Sequence, residues 1–137
     1  MTPKDYAAVL TLWREGDLPY RPRGRDSKKN ILWQLQQPTS LYFIAEENGT
    51  AVGVIFGTHD GRKGWINRLV VTPTHRKQGI ARRLVEEIER QLAARGLDIV
   101  ACLIEEWNTT SIQVFERLGY TKHDDIIYYS KRKTKDV

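Results

Sequence analysis

An apolar run from Ile66 to Val71 breaks at Thr72-Pro73-Thr74 and is followed at once by Arg76-Lys77-Gln78-Gly79-Ile80-Ala81, which opens a strongly amphipathic segment. Strand, tight turn and helix start in that order leave backbone N–H groups without intrahelical partners at the positive end of a helix dipole, which makes an anion cradle. Gly79 and the small Ala81 let an anion come close to the backbone. The spacing Arg-x-x-Gly-x-Ala is neither the P-loop nor the dinucleotide fingerprint.

The elements on either side follow from periodicity and punctuation. Thr2 as N-cap, Pro3 at the first helical position and Asp5 in the first turn start a helix that runs to about Arg14, with Tyr6, Val9, Leu10 and Trp13 inward. Gly16 to Ser27 is a polar loop containing Pro19, Pro22 and Gly24, and Ser27 caps a second helix over roughly residues 28–37, ended by Pro38. Leu41–Glu46 and Ala51–Thr58 read as strands joined by a hairpin at Glu47-Asn48-Gly49, and Lys63–Val71 as the next strand. Beyond the cradle, Ile80, Leu84, Val85, Ile88 and Leu92 line one face of a long helix ending near Gly96. Asp98–Ile104 reads as a buried strand and Thr109–Leu118 as a helix stopped by Gly119, with Tyr120 and Ile126–Ser130 as closing strands. The order α-α-β-β-β-α-β-α-β implies an α/β (α+β) domain with a mixed sheet, antiparallel first and parallel around the long helix.

A chain of 137 residues suits one domain and one core, so residues 1–137 are read as a single unit in which 130–137 form a basic, poorly ordered tail. Cys102 is the single cysteine, so no intrachain disulfide forms, and its apolar setting points to a buried structural thiol. No segment is long and apolar enough to be a membrane span or a signal block, and a soluble cytoplasmic protein is expected. The formal charge of +5 gathers at Arg21–Lys29, Arg76–Arg83 and Lys131–Lys135. Aromatic residues are not interleaved with these clusters as a single-strand nucleic-acid platform needs. His59, His75 and His123 are scattered and make no metal-ligand spacing.

With the cradle between the third strand and the long helix, the chain resembles an N-acetyltransferase domain of the GNAT superfamily over nearly its whole length. Arg76-x-x-Gly79-x-Ala81 is similar to that family's Q/R-x-x-G-x-G/A signature, and Leu69-Val70-Val71-Thr72-Pro73 to the L-x-V-x-P strand ending before it. Asn108, Ser111 and Phe115 resemble the N-x-x-A/S-x-x-x-[FY] helix start, and Leu118-Gly119-Tyr120 the L-G-F/Y ending. Two departures stand out. The family's first strand is missing ahead of the first helix, and an uncovered sheet edge would favour a homodimer. Phe115 stands where many members carry a tyrosine that protonates the departing thiolate.

The resemblance implies acetyl-CoA as co-substrate, no metal, and direct attack of an amine on the thioester. The N–H groups of Gln78, Gly79, Ile80, Ala81 and Arg82 are expected to bind the pyrophosphate, with Arg76 or Lys77 adding charge. Leu69, Val70 and Val71 are expected on a strand splayed from its neighbour, its N–H groups facing the acyl carbonyl and pantetheine arm. Asn108, Ser111 and Phe115 complete the cofactor side. Glu105, Glu106 and Glu46 are candidates for the base that deprotonates the ammonium, and Tyr120, Tyr128 or Tyr129 for a proton donor in place of Phe115. Asn67 and Arg68 face opposite sides of the cradle strand, so one of them meets substrate. The amine belongs to a small molecule, a peptide or a protein, and the arginines of the Gly16–Ser27 loop favour an acidic one. Two alternatives are a non-catalytic acyl-CoA binding or sensing module, favoured by Phe115, and a nucleic-acid-binding domain, which rests on charge alone.

Overall fold

Polar caps and apolar periodicity set the element boundaries closely. In the computed structural model, which describes residues 1–137, a 3-10 turn at Pro3–Asp5 leads into α1 (Tyr6–Glu15), and α2 spans Lys28–Leu35. Asp5 Oδ2 accepts the Thr2 N–H at 2.7 Å, and Ser27 Oγ accepts the Asn30 N–H at 3.3 Å, which satisfies donors that a helix start leaves free. Strands β1 (Ser40–Glu47) and β2 (Thr50–His59) meet at Asn48 and Gly49, with φ +51° and +78°, the paired positive values that a tight hairpin turn requires. β3 (Gly64–Val71), α3 (Ile80–Ala93), β4 (Val100–Cys102) and α4 (Thr109–Arg117) complete the order.

The four strands lie in chain order, β1-β2-β3 antiparallel and β3-β4 parallel through the α3 crossover. Strand alternation divides the apolar residues between two faces, and it is reset on β3 by a bulge at Asn67, where Phe56 pairs with Arg68 but Gly57 pairs with Ile66. Leu41, Ile55 and Ile66 pack under Leu84, Val85, Ile88 and Leu92 of α3 and Phe115 of α4. On the other face Tyr42, Val54, Phe56 and Val70 meet Val9, Leu12 and Trp13 of α1 and Ile31 of α2. Tyr42 stacks on Phe56 at 3.8 Å between centroids, and Trp13 meets the same ring edge-on at 5.3 Å, the latter a favoured arrangement of aromatic quadrupoles. No strand precedes α1, and the Met1 ammonium donates to the Tyr42 carbonyl on the outer strand at 3.2 Å.

Two expectations are corrected here. The strand expected over Asp98–Ile104 shrinks to three residues, with Ile99 and Leu103 exposed and Cys102 only partly buried. The closing strands expected at Tyr120 and Ile126–Ser130 do not form, and Ile126, Ile127, Tyr128 and Tyr129 are exposed. Both corrections have one physical origin. A strand needs a neighbouring ladder, and β4 offers an edge only three residues long before its backbone leaves the sheet.

Candidate active site

Backbone geometry builds the cradle. Lys77 and Gly79 adopt φ +62° and +78°, which turns the chain sharply into α3. The first intrahelical bond runs from the Arg83 N–H to the Gly79 carbonyl at 3.1 Å, and the N–H groups of Gln78, Gly79, Ile80, Ala81 and Arg82 find no backbone acceptor. A Cβ built on Gly79 would meet nothing within 4 Å, so the space in front of these donors is open. Arg76 Nε donates to the Val71 carbonyl at 3.3 Å, and Thr72 Oγ1 donates to Glu15 Oε2 at 3.0 Å, tying the strand end and the turn to α1.

The strand feeding the cradle is splayed. β3 pairs with β4 only from Gly64↔Val100 to Ile66↔Cys102, and the strands part beyond that point. The Thr72 N–H donates to the Val52 carbonyl at 2.8 Å, which fixes the antiparallel alternation. Arg68 and Val70 therefore turn their N–H groups to β2, whereas Leu69 and Val71 turn theirs into the gap.

Two cavities meet across this gap. The one over the cradle, about 610 Å³, is lined by Leu69, Val70, Val71, Arg76, Lys77, Gly79, Ile80, Ala81, Arg82, Asn108 and Ser111. Gln78 does not line it, and Phe115 lines the neighbouring cavity of about 710 Å³ instead. The larger cavity lies across the sheet and takes in Asn67, Arg68, Glu105, Trp107 and the loop after α1. Leu18, Leu69, Trp107, Asn108 and Ser111 line both, so the two form one groove with a common seam. Asn108 Oδ1 accepts the Ser111 N–H at 3.2 Å, which caps α4 and fixes the seam.

Candidate proton carriers are placed unequally. Glu105 lines the larger cavity, Glu106 lines neither, and Glu46 is exposed on β1. The Tyr120 ring packs edge-on against Phe115 at 4.9 Å and lines neither cavity. Its hydroxyl is buried without a hydrogen-bond partner, and burial, then the nearby Glu89 carboxylate, push its ionisation well above the ordinary phenol value. Tyr128 reaches the larger cavity, and Tyr129 is exposed outside both. Burial pushes the Cys102 thiol up to about 11, so it stays protonated and unreactive at neutral pH. Of the strand pair, Asn67 Nδ2 donates to Thr58 Oγ1 at 3.0 Å, and Arg68 is committed to Asp26 at 2.8 Å.

Sequence reading missed part of the groove. Gly16, Asp17 and Leu18 wall the cradle side, together with Thr110, Gln113, Val114 and Arg117 of α4. The α4 signal was present, because those four positions recur at helical spacing on the face that Asn108 begins. The α1 loop carried no such signal, since its approach depends on contacts far away in sequence.

An anion cradle, a splayed strand and a second cavity thus share one groove. The sequence profile of the acetyltransferase (GNAT) family matches residues 7–120. Solved structures agree on the fold. A PaiA N-acetyltransferase from Thermoplasma acidophilum in complex with coenzyme A superposes with a TM-score of 0.81 at 17% identity, covering 90% of this chain and 88% of that one. The aminoglycoside acetyltransferase AAC(6')-Iy, bound to a bisubstrate analogue, gives 0.77 at 23% identity over 96% and 95%. A ribosomal-protein-alanine N-acetyltransferase from Brucella melitensis gives 0.74 at 16% identity over 96% and 94%. The chain belongs to the acetyltransferase (GNAT) family, and it is an acyltransferase.

Proposed function

We propose that this enzyme moves the acetyl group of acetyl-CoA directly to a primary amine. One observation carries the reading: the free N–H groups of the cradle and those of Leu69 and Val71 open on a single groove that continues into a second cavity. In this reading the Gly79–Arg82 backbone holds the pyrophosphate, with Arg76 and Lys77 adding charge. The N–H groups of Leu69 and Val71 stabilise the oxyanion as the thioester carbonyl is attacked. Bound acetyl-CoA supplies an activated acyl carbon and a thiolate leaving group. Glu105 takes the ammonium proton, the N–C bond forms, the C–S bond breaks, and the thiolate collects its proton from solvent because Phe115 cannot donate one. Ser111 is the hydroxyl residue that lines both cavities, and Asn108 beside it steadies the arm.

The acceptor is a small molecule or the amine of a peptide or protein. The aminoglycoside and ribosomal-protein acceptors named for the similar structures support that breadth. Pairing of two copies through the open β1 or β4 edge, and work in the cytoplasm, where a lone thiol stays reduced, belong to the same reading. No helix is long and apolar enough to cross a membrane.

Thiol release from acetyl-CoA, followed over a panel of amines, tests the chemistry. Glu105→Gln is expected to lower kcat/KM about 10²-fold or more at neutral pH, with the loss shrinking as pH rises and free amine accumulates. An unchanged rate and pH profile would remove Glu105 from the role of base.

A further inference from the structure

The larger cavity carries an uneven charge. Its ionisable lining comprises Arg21, Arg25, Arg68 and Arg132 against Asp26 and Glu105, together with Cys102 and the phenols of Tyr42 and Tyr128. Arg68 and Asp26 neutralise each other, with side chains 11% and 6% exposed and 2.8 Å between them. Three arginines then face a single free carboxylate, the one assigned to proton transfer. Arg132 gives one donor to the Val137 carbonyl, Arg25 stands 3.9 Å from the Asp26 carboxylate that Arg68 already holds, and the Arg21 guanidinium has no protein partner. The Arg21 backbone is nevertheless held in place. Its backbone N–H donates to Asp26 Oδ2 at 2.6 Å, the oxygen that Arg68 also grips, while Arg68 donates to the Pro19 carbonyl and lies 4.9 Å from the centre of the Trp13 ring. The buried pair thus pins residues 19–26 to β3 and fixes a cationic rim over the cavity.

Flat apolar surface completes the lining. Trp33, Trp107 and Tyr128 are 61%, 56% and 63% exposed, and all three border this cavity. Aromatic faces beside guanidinium groups suit a ligand with a planar or apolar body and an anionic end, and they repel a polycation. Building on the acetyl-transfer reading above, we infer that the acceptor is an amine carrying a carboxylate or phosphate on an aromatic or apolar body, its anion at Arg21 and Arg25 and its amine toward Glu105.

Three amines separate these ideas: 4-(aminomethyl)benzoate, benzylamine, which lacks the carboxylate, and the polycation spermidine. Each is titrated calorimetrically into the enzyme saturated with CoA, and thiol release is read in parallel with acetyl-CoA. The carboxylate-bearing amine is expected to bind about tenfold more tightly than benzylamine and to exceed spermidine by more. In Arg21→Ala/Arg25→Ala its affinity should fall to that of benzylamine. CoA binding combined with equal or tighter binding of spermidine, or with no carboxylate advantage, overturns the inference and leaves the acetyl-transfer reading standing. Absence of CoA binding overturns that reading, and the inference falls with it.

Discussion

Asp60 shows how much of this molecule is set by single polar groups. Its Oδ1 accepts the N–H groups of Arg62 and Lys63 at 2.9 Å each, and these bonds hold the carboxyl down to about 2. A folded value below the unfolded one means that the stabilisation is complete above about 3.8 and is lost as pH falls through about 2. Asp60→Asn should therefore flatten this part of the acid limb between those values, read as the urea midpoint against pH. An acid limb unchanged in the variant would show that the turn is held otherwise. At the same scale Gly79 was legible in the sequence as the small residue of a tight turn into an amphipathic helix, and its φ of +78° fits that reading. Tyr120 was not, because nothing local shows that its ring packs on Phe115 and that its hydroxyl is buried near Glu89.

At the scale of elements, β3 links core and groove: its first half pairs on both sides and its second half opens the groove. Gly64 lies under Leu92 of α3, and a Cβ there would lie 2.1 Å from Leu92 Cδ1. Gly64→Ala should cost about 1–3 kcal/mol by overpacking, lowering the urea midpoint with no change in its slope. An unshifted midpoint would mean that α3 rides higher on the sheet. The eight principal helices and strands were readable because caps, the Asn-Gly turn and two apolar periods lie within a few residues of each other. The closing strands were misread for the opposite reason. Ile126 to Tyr129 has strand-like composition, but pairing is a non-local fact, and β4 supplies no ladder for it to join.

Over the whole molecule, a local motif supplies half of the groove and long-range contacts supply the rest. The turn residues Arg76–Arg82 are neighbours in sequence and were legible, whereas Gly16, Asp17 and Leu18, which wall the same side, come from far away in the chain. The larger cavity draws on α2, the loop after α1, all four strands, the residues after β4 and α4, and it is fixed by Asp26 meeting Arg68 from 42 positions away. No sequence period encodes such a meeting. Breaking it would leave a buried charge without a partner, which makes the pair a requirement for the shape of this wall.

The proposed acetyl transfer requires first of all that the groove around the cradle bind acyl-CoA. The decisive experiment is calorimetric titration with acetyl-CoA, with free CoA and NAD as comparators and Gly79→Asp alongside, its fold checked by circular dichroism. Micromolar binding of acetyl-CoA and CoA is expected, with no binding of NAD. Both affinities should vanish in folded Gly79→Asp, where a carboxylate would occupy the anion's place. Binding that survives in the variant, or no binding by the wild-type enzyme, would contradict this view of the groove.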